Sequence, residues 1–472
     1  MKTRPVADEE SKEFAAVALG DERLDERLKR IVALVAAAPD DSFPELMQTV
    51  ADREALYRFL SNPKVTLDAV LQGHVQQTHE RLRGQQAVRV VHDTTKFRFI
   101  GERAGLGAIR GDAQGFFGHF ALAVAADETR EVYGVLGVRP FIHEQTEARR
   151  KMTQRERVAA TLAKPRAEKE SSRWERLAID VSNSLPAGVR PLHVMDQEAD
   201  DFDLFAELHQ AQLAFVVRAK PERRSGPERQ PAKEVLATEP AEIFRTVSLS
   251  PRDPRAGIVR RNRRPARIER EAKLRIRWAQ ITLARGPHNK TKTRDLSLWA
   301  VHVFEPKPPQ GEEAIEWMLF TSEPVRNLDE ATSVVDHYRA RWVIEEYFKA
   351  LKTGCSFEKR QLMTFEGLVR ALALFVPMAW RLLVLRQLGR ESQPGPARRF
   401  LNEEELNLLR ALLAKRNQSL PAHPNVRDAM LAIASLGGHI KNNGDPGWIV
   451  LGRGLTRFLE AAEGWMLARA AM

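Results

Sequence analysis

The order of strand-like and helical segments in the middle of the chain constrains the fold most strongly. Runs of apolar and β-branched residues recur there, with turn signals or helical patterns between them. These runs lie at residues 87–91, 120–125, 132–138, 192–195 and 214–217. Three strands in succession predict a meander, and strands that then alternate with helices predict a mixed α/β sheet. Two of the runs lead into an aspartate, Asp93 and Asp196.

Helical patterns flank this region on both sides. A cap signal at residues 19–21 precedes apolar residues at helical spacing, and a second helix is predicted to stop at residues 61–63. The chain beyond residue 403 is again helical in pattern. The predicted parts are a helical domain at residues 1–70, an α/β core at residues 71–372 and a helical region at residues 373–472.

An arginine-rich stretch interrupts the core. Residues 251–270 contain eight arginines and two acidic residues. Apolar and polar residues alternate after it, at Leu274, Ile276 and Trp278. This alternation predicts a β-rich basic insertion over residues 221–297 rather than a linker. Positive charge of this kind suits contacts with nucleic-acid phosphates, which position DNA without reading its sequence.

The charge and cysteine content favour an intracellular protein that binds nucleic acid. Lys and Arg number 74 against 63 Asp and Glu, a net charge of +11, which favours a polyanionic partner. Cys355 is the only cysteine in the sequence, so no disulfide forms within the chain. The start of the chain lacks the apolar segment of a secretory signal. Arg370 and Arg381 interrupt the most apolar stretch, residues 368–385. We expect a soluble cytoplasmic protein with no membrane segment.

Residues 338–352 carry the most informative pattern. A tyrosine, an acid and three basic residues recur at steps of three and four, which places them within a sector of about 80° on one helix face. These residues are Tyr338, Arg341, Glu345, Lys349 and Lys352. Taken alone, the stripe is equally typical of a solvated helix face, with ion pairs from Glu345 to Arg341 or Lys349.

The two aspartates that follow the strand-like runs make Glu345 a candidate member of an acidic cluster. A lone aspartate after a strand is more often a turn former or a helix cap. In a ribonuclease H-like core, however, acids from a first strand, a later strand and a following helix converge, and Asp93, Asp196 and Glu345 have this order and context. Clustered carboxylates are costly unless cations neutralise them, and a pair of Mg²⁺ or Mn²⁺ ions is the usual solution. Such a cluster suits phosphoryl transfer on DNA.

The chain resembles the bacterial insertion-sequence DDE transposases that carry a Tyr-x2-Arg-x3-Glu-x6-Lys signature. Tyr338, Arg341, Glu345 and Lys352 fit this spacing. Further matches extend over nearly the whole chain, and they include Leu19-Gly20-Asp21, Tyr57-Arg58-Phe59, Asp93-Thr94-Thr95, Asp196 with Glu198-Ala199-Asp200, and Ser435-Leu436-Gly437-Gly438. The resemblance implies a ribonuclease H-like catalytic core with a β insertion, flanked by N-terminal and C-terminal helical domains.

The resemblance also implies a catalytic centre. Asp93, Asp196 and Glu345 would be the catalytic residues and would hold two Mg²⁺ ions, for which Mn²⁺ could substitute. One ion would activate water or a 3′-hydroxyl, and the other would stabilise the leaving oxygen. The phosphates beside the scissile bond would be gripped by Tyr338, Arg341 and Lys352.

Other DNA contacts are implied outside this centre. Trp317 would stack on a base that is flipped out when the family's enzymes form a DNA hairpin at the transposon end; otherwise it is a core tryptophan in a strand. Arg218 matches a basic residue near the active site. Arg27 and Arg58 match positions that bind transposon-end DNA, although each is also typical of an ordinary solvated arginine. Lys349 belongs to the basic helix face described above.

The expected function is that of a cut-and-paste DNA transposase. It would bind double-stranded DNA at transposon ends and in the target, and would act as a homodimer in a synaptic complex, associated with the bacterial nucleoid. A non-catalytic regulator or transposition inhibitor is the first alternative, and a stand-alone ribonuclease H-like nuclease is the second. Two departures from the family pattern, Gln197 after Asp196 and Phe348 before Lys349, remove no metal ligand.

Overall fold

A computed structural model describes most of the chain. The described residues are 12–37, 41–47, 49–109, 113–143, 152–226, 228–249, 268–286, 288–440 and 444–470. Of the eight arginines in the basic stretch, all but Arg270 lie outside them, so the prediction that this stretch contacts phosphates concerns residues that are not described here.

The strands form a large mixed sheet in which only the central pairs are parallel. The strands are β1 (Ala87–Phe99), β2 (Gly107–Ala108), β3 (Gln114–Ala125), β4 (Val132–Phe141), β5 (Arg190–Met195), β6 (Ala214–Ala219), β7 (Arg224–Ser225), β8 (Gln230–Pro231), β9 (Glu242–Leu249), β10 (Arg270–Ala284), β11 (Asp295–Phe304) and β12 (Glu316–Thr321). In the large sheet the order is β2-β3-β1-β5-β6-β12-β11-β10-β9, with β4 paired to β3, while β7 and β8 pair separately. The β1–β5 and β5–β6 pairs are parallel.

The predicted α/β class and meander are confirmed. Strands β1, β3 and β4 are antiparallel neighbours, and helices separate the parallel strands β5 and β6 from what precedes and follows them. The predicted β-rich insertion does not stand apart from this sheet, because β9 and β10 extend it beyond β11 and β12. Alternation of buried Leu274 and Ile276 with exposed neighbours explains why β10 covers one face of the extension.

Helices cover the sheet and build both ends of the chain. They are α1 (Glu22–Ala37), α2 (Phe43–Leu46), α3 (Val50–Ser61), α4 (Leu67–Leu82), α5 (Gln154–Ala163), α6 (Arg173–Ser184), α7 (Phe202–Gln210), α8 (Ala232–Ala237), α9 (Leu328–Ala340), α10 (Trp342–Lys349), α11 (Phe365–Gly389), α12 (Glu403–Ala414), α13 (Val426–Leu436) and α14 (Trp448–Ala470). Helix α3 ends at Ser61, where the sequence predicted a stop.

Helix α11 is the central element of the largest core. It is long and apolar enough to cross a membrane, but 83% of its most apolar window is buried inside the protein. Its three arginines contact other parts of the protein: Arg370 donates to the backbone oxygens of Leu60 and Val65, Arg381 lies over the ring of Phe400, and Arg386 donates to the backbone oxygen of Pro446. The helix therefore has the environment of a core helix.

A buried polar cluster fastens the N-terminal segment to the sheet. Glu13 is 3% exposed and contacts both His74 and Arg81. His74 accepts a hydrogen bond from the backbone N–H of Val135 at 2.9 Å, so its other ring nitrogen is the donor to Glu13. The guanidinium of Arg81 lies 3.9 Å from the ring centre of Trp380 in α11. Through His74 and Arg81 of α4, the carboxylate of Glu13 therefore links the N-terminal segment to β4 and α11.

Candidate active site at the carboxyl end of the parallel strands

Two of the predicted acids lie side by side on neighbouring strands. In the parallel register of β1 and β5, Val91 is opposite Val194. Two residues further along each strand come Asp93 and Asp196, which project on the same face because side chains alternate with a period of two. Neighbouring strands are about 4.8 Å apart. The register therefore brings together two acids that are separated by more than a hundred residues of sequence.

The two aspartates have different backbone settings, which corrects one prediction. Asp196 follows the last residue of β5, as expected, and its side chain accepts a hydrogen bond from the backbone N–H of Glu198 at 2.9 Å. Asp93 was expected at a strand end but lies inside β1, opposite Phe120 of β3. The strand continues to Phe99 because its partner β3 runs alongside it; only the pairing with β5 ends near Asp93.

The third acid joins the first through an arginine. The guanidinium of Arg341 donates to Asp93 Oδ2 at 2.7 Å and to Glu345 Oε1 at 2.8 Å. The ion pair between Arg341 and Glu345 is the one expected of a solvated helix face, but here Arg341 is 11% exposed and also binds an acid from the sheet. The helix therefore belongs to the same site as the strand-borne aspartates.

The pKa shifts at the site reflect its burial first and its neighbouring charges second. Burial raises the pKa of Asp93 from 3.8 to about 7; Arg341 opposes this rise, while Asp196 and Glu345 add to it. Burial also raises the pKa of Asp196, against the influence of the Glu198 N–H group and the nearby arginines. Burial works to lower the pKa of Arg341, but Tyr338 and the two carboxylates raise it above its usual value. Burial and the neighbouring acids together favour the protonated form of Asp93, against the influence of Arg341.

The raised pKa of Asp93 predicts a pH dependence of stability in the metal-free protein. Folded protein retains a proton on Asp93 up to about pH 7, whereas the unfolded chain loses it near pH 3.8, so stability falls as the pH rises between these values. We expect the unfolding free energy of wild-type protein to fall by about 2 kcal/mol, relative to Asp93→Asn, between about pH 5 and pH 8. Urea unfolding in EDTA at both pH values measures this difference. Parallel pH profiles for the two proteins would contradict it.

The basic face of residues 338–352 is not one continuous helix, which corrects a second prediction. Helix α9 ends at Ala340 and α10 begins at Trp342, and a π-helical turn follows at Ala350–Gly354. A π turn holds more residues than an α turn, so positions beyond it are rotated relative to Glu345. Lys352, which lies in this turn, donates to the backbone oxygen of Lys96 in β1 at 2.6 Å. Burial lowers the pKa of Lys352.

Lys349 and Phe348 lie at the margin of the site. Lys349 is 51% exposed and pairs with Glu346 at 2.5 Å. Phe348 is buried against Phe120 of β3, with ring centres 5.3 Å apart, which explains how an apolar residue is accommodated at this position. The apolar residues Ile344, Tyr347 and Leu351 are buried.

A cleft of about 700 Å³ contains four of the predicted DNA contacts, one of which is Arg341. Trp317, Tyr338 and Arg218 line it, together with Arg130 and Trp342. The rings of Trp317 and Tyr338 meet edge to face with centres 5.8 Å apart. The lining thus combines aromatic rings and guanidinium groups, a combination that suits nucleic-acid strands.

Two residues at this site were not singled out from the sequence. Trp342 is 60% exposed at the cleft, and its position directly after Arg341 in the polar stripe was an available signal. Arg173, at the start of α6, lies 3.6 Å from Glu198 and over the ring of Phe141 at 4.6 Å. No sequence pattern indicated Arg173, because its proximity to the second acid depends on the packing of α6 against the sheet.

Comparisons with known proteins identify the domains that carry these residues. Residues 10–65 match a family model described as transposase DNA-binding, and residues 170–377 match one described as transposase DDE domain. The two matches together cover more than half of the chain. Both domains are those of a DNA transposase. Asp196 and Glu345 lie within the DDE match, whereas Asp93 precedes it, so the inclusion of Asp93 depends on the strand register described above.

One solved structure of a transposase is similar over most of the chain. It is the cryo-EM structure of piggyBac transposase in a synaptic complex with hairpin DNA, at 12% sequence identity and a TM-score of 0.38. The similarity covers 88% of this transposase and 79% of that chain. A likeness this distant carries no conclusion about this protein's site.

The N-terminal arginines lie on the DNA-binding part of the transposase. Arg27 projects from α1 and lines a small groove between α1 and α3. Arg58 of α3 is 74% exposed and pairs with Glu54 at 2.5 Å. Both side chains are exposed, as a DNA contact requires, and neither contacts the acids of the core.

The carboxylates of the transposase fit a divalent cation by their chemistry. DDE domains use divalent metal ions, and hard cations prefer carboxylate oxygens. A cation would also relieve the charge that raises the pKa of Asp93. Within the described part of the chain, however, no group of three or more His, Cys, Asp and Glu side chains is arranged to hold an ion. Arg341 already uses oxygens of two of the three carboxylates.

Proposed function

We propose that this protein is a cut-and-paste transposase of the insertion-sequence type, with Asp93, Asp196 and Glu345 as its catalytic residues. It would bind the ends of its element, cleave them through a hairpin intermediate and join the 3′ ends to target DNA. The convergence of three carboxylates beside an aromatic and basic cleft supports this function most strongly. Within the family, the motifs most resemble the transposase of the kanamycin-resistance composite transposon.

The sheet supports assignment of the core as ribonuclease H-like. Strands β4, β3 and β1 form an antiparallel meander, and β5 and β6 continue it in parallel. The acids lie on the first strand, the next parallel strand and a later helix, in the order that this core requires. The cytoplasm, where such an element resides, is the proposed location.

Different residues of the chain would have different roles in phosphoryl transfer. Asp93, Asp196 and Glu345 would hold two Mg²⁺ ions, or Mn²⁺ in their place. When bound, such a pair activates the attacking oxygen and stabilises the leaving one. Tyr338 and Arg341 stand at the border between the carboxylates and the cleft, where charge-assisted hydrogen bonds would orient the scissile phosphate. Lys352, held over the edge of β1, would add a further cationic contact, as would Lys349.

The DNA partners are assigned by position. Arg27 and Arg58 would contact the transposon end, and Arg218 would contact the strand in the cleft. Target DNA would enter after excision, because the same carboxylates serve both cleavage and joining. Two protomers would pair two ends in a homodimer, since both ends of an element must be cut before it can be inserted.

Excision from a plasmid tests the function directly. The purified protein is incubated with Mg²⁺ and a plasmid that carries its coding sequence within the native flanking DNA. We expect release of a discrete fragment with hairpin ends, followed by its insertion elsewhere. Binding to the flanks without cleavage would instead identify a regulator or inhibitor, and cleavage without defined ends would identify a stand-alone nuclease. Either of these results would contradict the proposal.

Trp317 provides a separate prediction about the hairpin step. Trp317→Ala removes a ring that would stack on a flipped base, and loss of one stacked base costs about 1–3 kcal/mol. We expect hairpin formation to slow by about tenfold to a hundredfold, while the first nick keeps its rate. Trp317→Phe, which retains a ring, should recover most of the loss. Gel analysis of nicked and hairpin products separates the steps. Equal slowing of both would indicate a purely structural role.

A further inference from the structure

Arg341 binds one oxygen of each of two carboxylates that a metal ion would use. Its two terminal nitrogens bind Asp93 Oδ2 and Glu345 Oε1, at 2.7 and 2.8 Å. Asp93 and Arg341 are both largely buried, with side chains 15% and 11% exposed. Solvent therefore screens this contact poorly, and the guanidinium is the strongest counter-charge available to the two acids.

A cation and this guanidinium would compete for the same two carboxylates. A divalent ion held jointly by Asp93 and Glu345 would compete with the guanidinium of Arg341, which bridges these two carboxylates. Two like charges at that distance repel strongly in a poorly screened site.

Arg341 also has an alternative position available. It lines the cleft with Tyr338 and Trp317, and its guanidinium carbon lies 5.9 Å from the ring centre of Tyr338. A phosphate in that cleft would offer oxygen acceptors in place of the carboxylates, with the planar geometry that arginine prefers. The same side chain can therefore neutralise the acids in one state and an incoming phosphate in another.

We propose that Arg341 is the internal counter-ion of the metal-free site and that a cation binds Asp93 and Glu345 only by displacing its guanidinium. The inference rests on the proposed function for its biological meaning, because Arg341 would weaken cation binding to the two carboxylates until DNA binds. It does not require cleavage activity to be tested.

Mn²⁺ binding without DNA tests this displacement. The full-length protein is titrated with Mn²⁺, and free ion is counted by electron paramagnetic resonance. We expect Arg341→Gln to bind Mn²⁺ about tenfold more tightly than wild-type protein, because two charge-assisted hydrogen bonds no longer compete. Arg341→Lys keeps the charge but cannot bridge both carboxylates, so it should show part of this gain.

Two control variants separate displacement from a general change in charge. Arg190→Gln removes an exposed arginine at the opposite end of β5, where it pairs with Glu323, and should bind Mn²⁺ like wild-type protein. Arg218→Gln removes a charge that influences Asp196 without bridging the acids, and should gain less than about threefold.

The outcomes decide between two physical effects. If Arg341→Lys binds Mn²⁺ like wild-type protein while Arg341→Gln gains, only the local field matters and displacement is overturned. Equal affinities for all variants would overturn it too. Where Arg341→Gln is unstable without metal, its melting temperature should rise more with Mn²⁺ than that of wild-type protein; an equal or smaller rise counts against displacement. Failure of plasmid excision with retained Mn²⁺ effects would reject the transposase proposal alone.

Discussion

DNA cleavage is expected to fall at least about 1,000-fold when Asp93→Asn, Asp196→Asn or Glu345→Gln is introduced, because each variant would lose a charged oxygen ligand for the proposed metal pair. Binding to element-end DNA should persist, since the N-terminal arginines lie on separate helices. Nicking of end-containing plasmid in Mg²⁺, beside a gel-shift measurement of the same proteins, separates the two effects. The amides are close in size to the acids, so the fold should be retained.

Glu346→Gln is the matched control for this series. Glu346 neighbours Glu345 on α10, but it pairs with Lys349 and contacts no carboxylate of the cluster. Its amide variant should cleave within about threefold of wild-type protein, as expected for the loss of a partly exposed ion pair. Undiminished cleavage by Asp93→Asn would remove Asp93 from the metal site and would leave only the two acids inside the matched DDE domain.

Glu13→Ala is expected to produce the largest loss of stability. The variant leaves the guanidinium of Arg81 without its buried partner and removes the acceptor for the His74 ring N–H group. Breaking a buried pair from one side costs about 3–5 kcal/mol. Chemical denaturation in EDTA measures the loss, and Glu26→Ala serves as the control. Glu26 pairs with Lys29 at 2.6 Å on the surface, where both side chains are more than half exposed, so its loss should cost less than about 1 kcal/mol.

The contribution of Glu13 should also depend on pH. Burial works to raise the pKa of Glu13, but His74 and Arg81 together lower it below its ordinary value of 4.5. A lowered pKa in the folded state gives stability that is present above pH 4.5 and is lost as the pH falls through the folded value. The difference between wild-type protein and Glu13→Ala should therefore shrink in acid. A constant difference would show that packing, not charge, accounts for the effect.

The sequence predicted the convergence of acids better than the details of their contacts. Strand-like runs before Asp93 and Asp196 were visible in the sequence, but the convergence of these acids was expected from their order, which matches a ribonuclease H-like core. The continuation of β1 was also encoded: Phe97 and Phe99 are buried and alternate with polar residues. The prediction ended the strand at Asp93, although this alternation continues to Phe99.

Other features depended on contacts that no local pattern contains. The bridge from Arg341 to Asp93 joins residues 248 positions apart, and its existence depends on how α10 packs against β1. The residue spacing around Lys352 does not distinguish the π turn at Ala350–Gly354 from an α-helical turn. The sequence also did not predict that β9 and β10 extend the main sheet, because alternation predicts a strand but not its partner.

Anomalous diffraction from a Mn²⁺-soaked crystal of the protein bound to element-end DNA tests the central claim most directly. The expected result is strong anomalous density between the carboxylates of Asp93, Asp196 and Glu345, with the guanidinium of Arg341 moved from them toward a phosphate. Manganese density elsewhere on the molecule, with Asp93 and Glu345 still joined by Arg341, would contradict it.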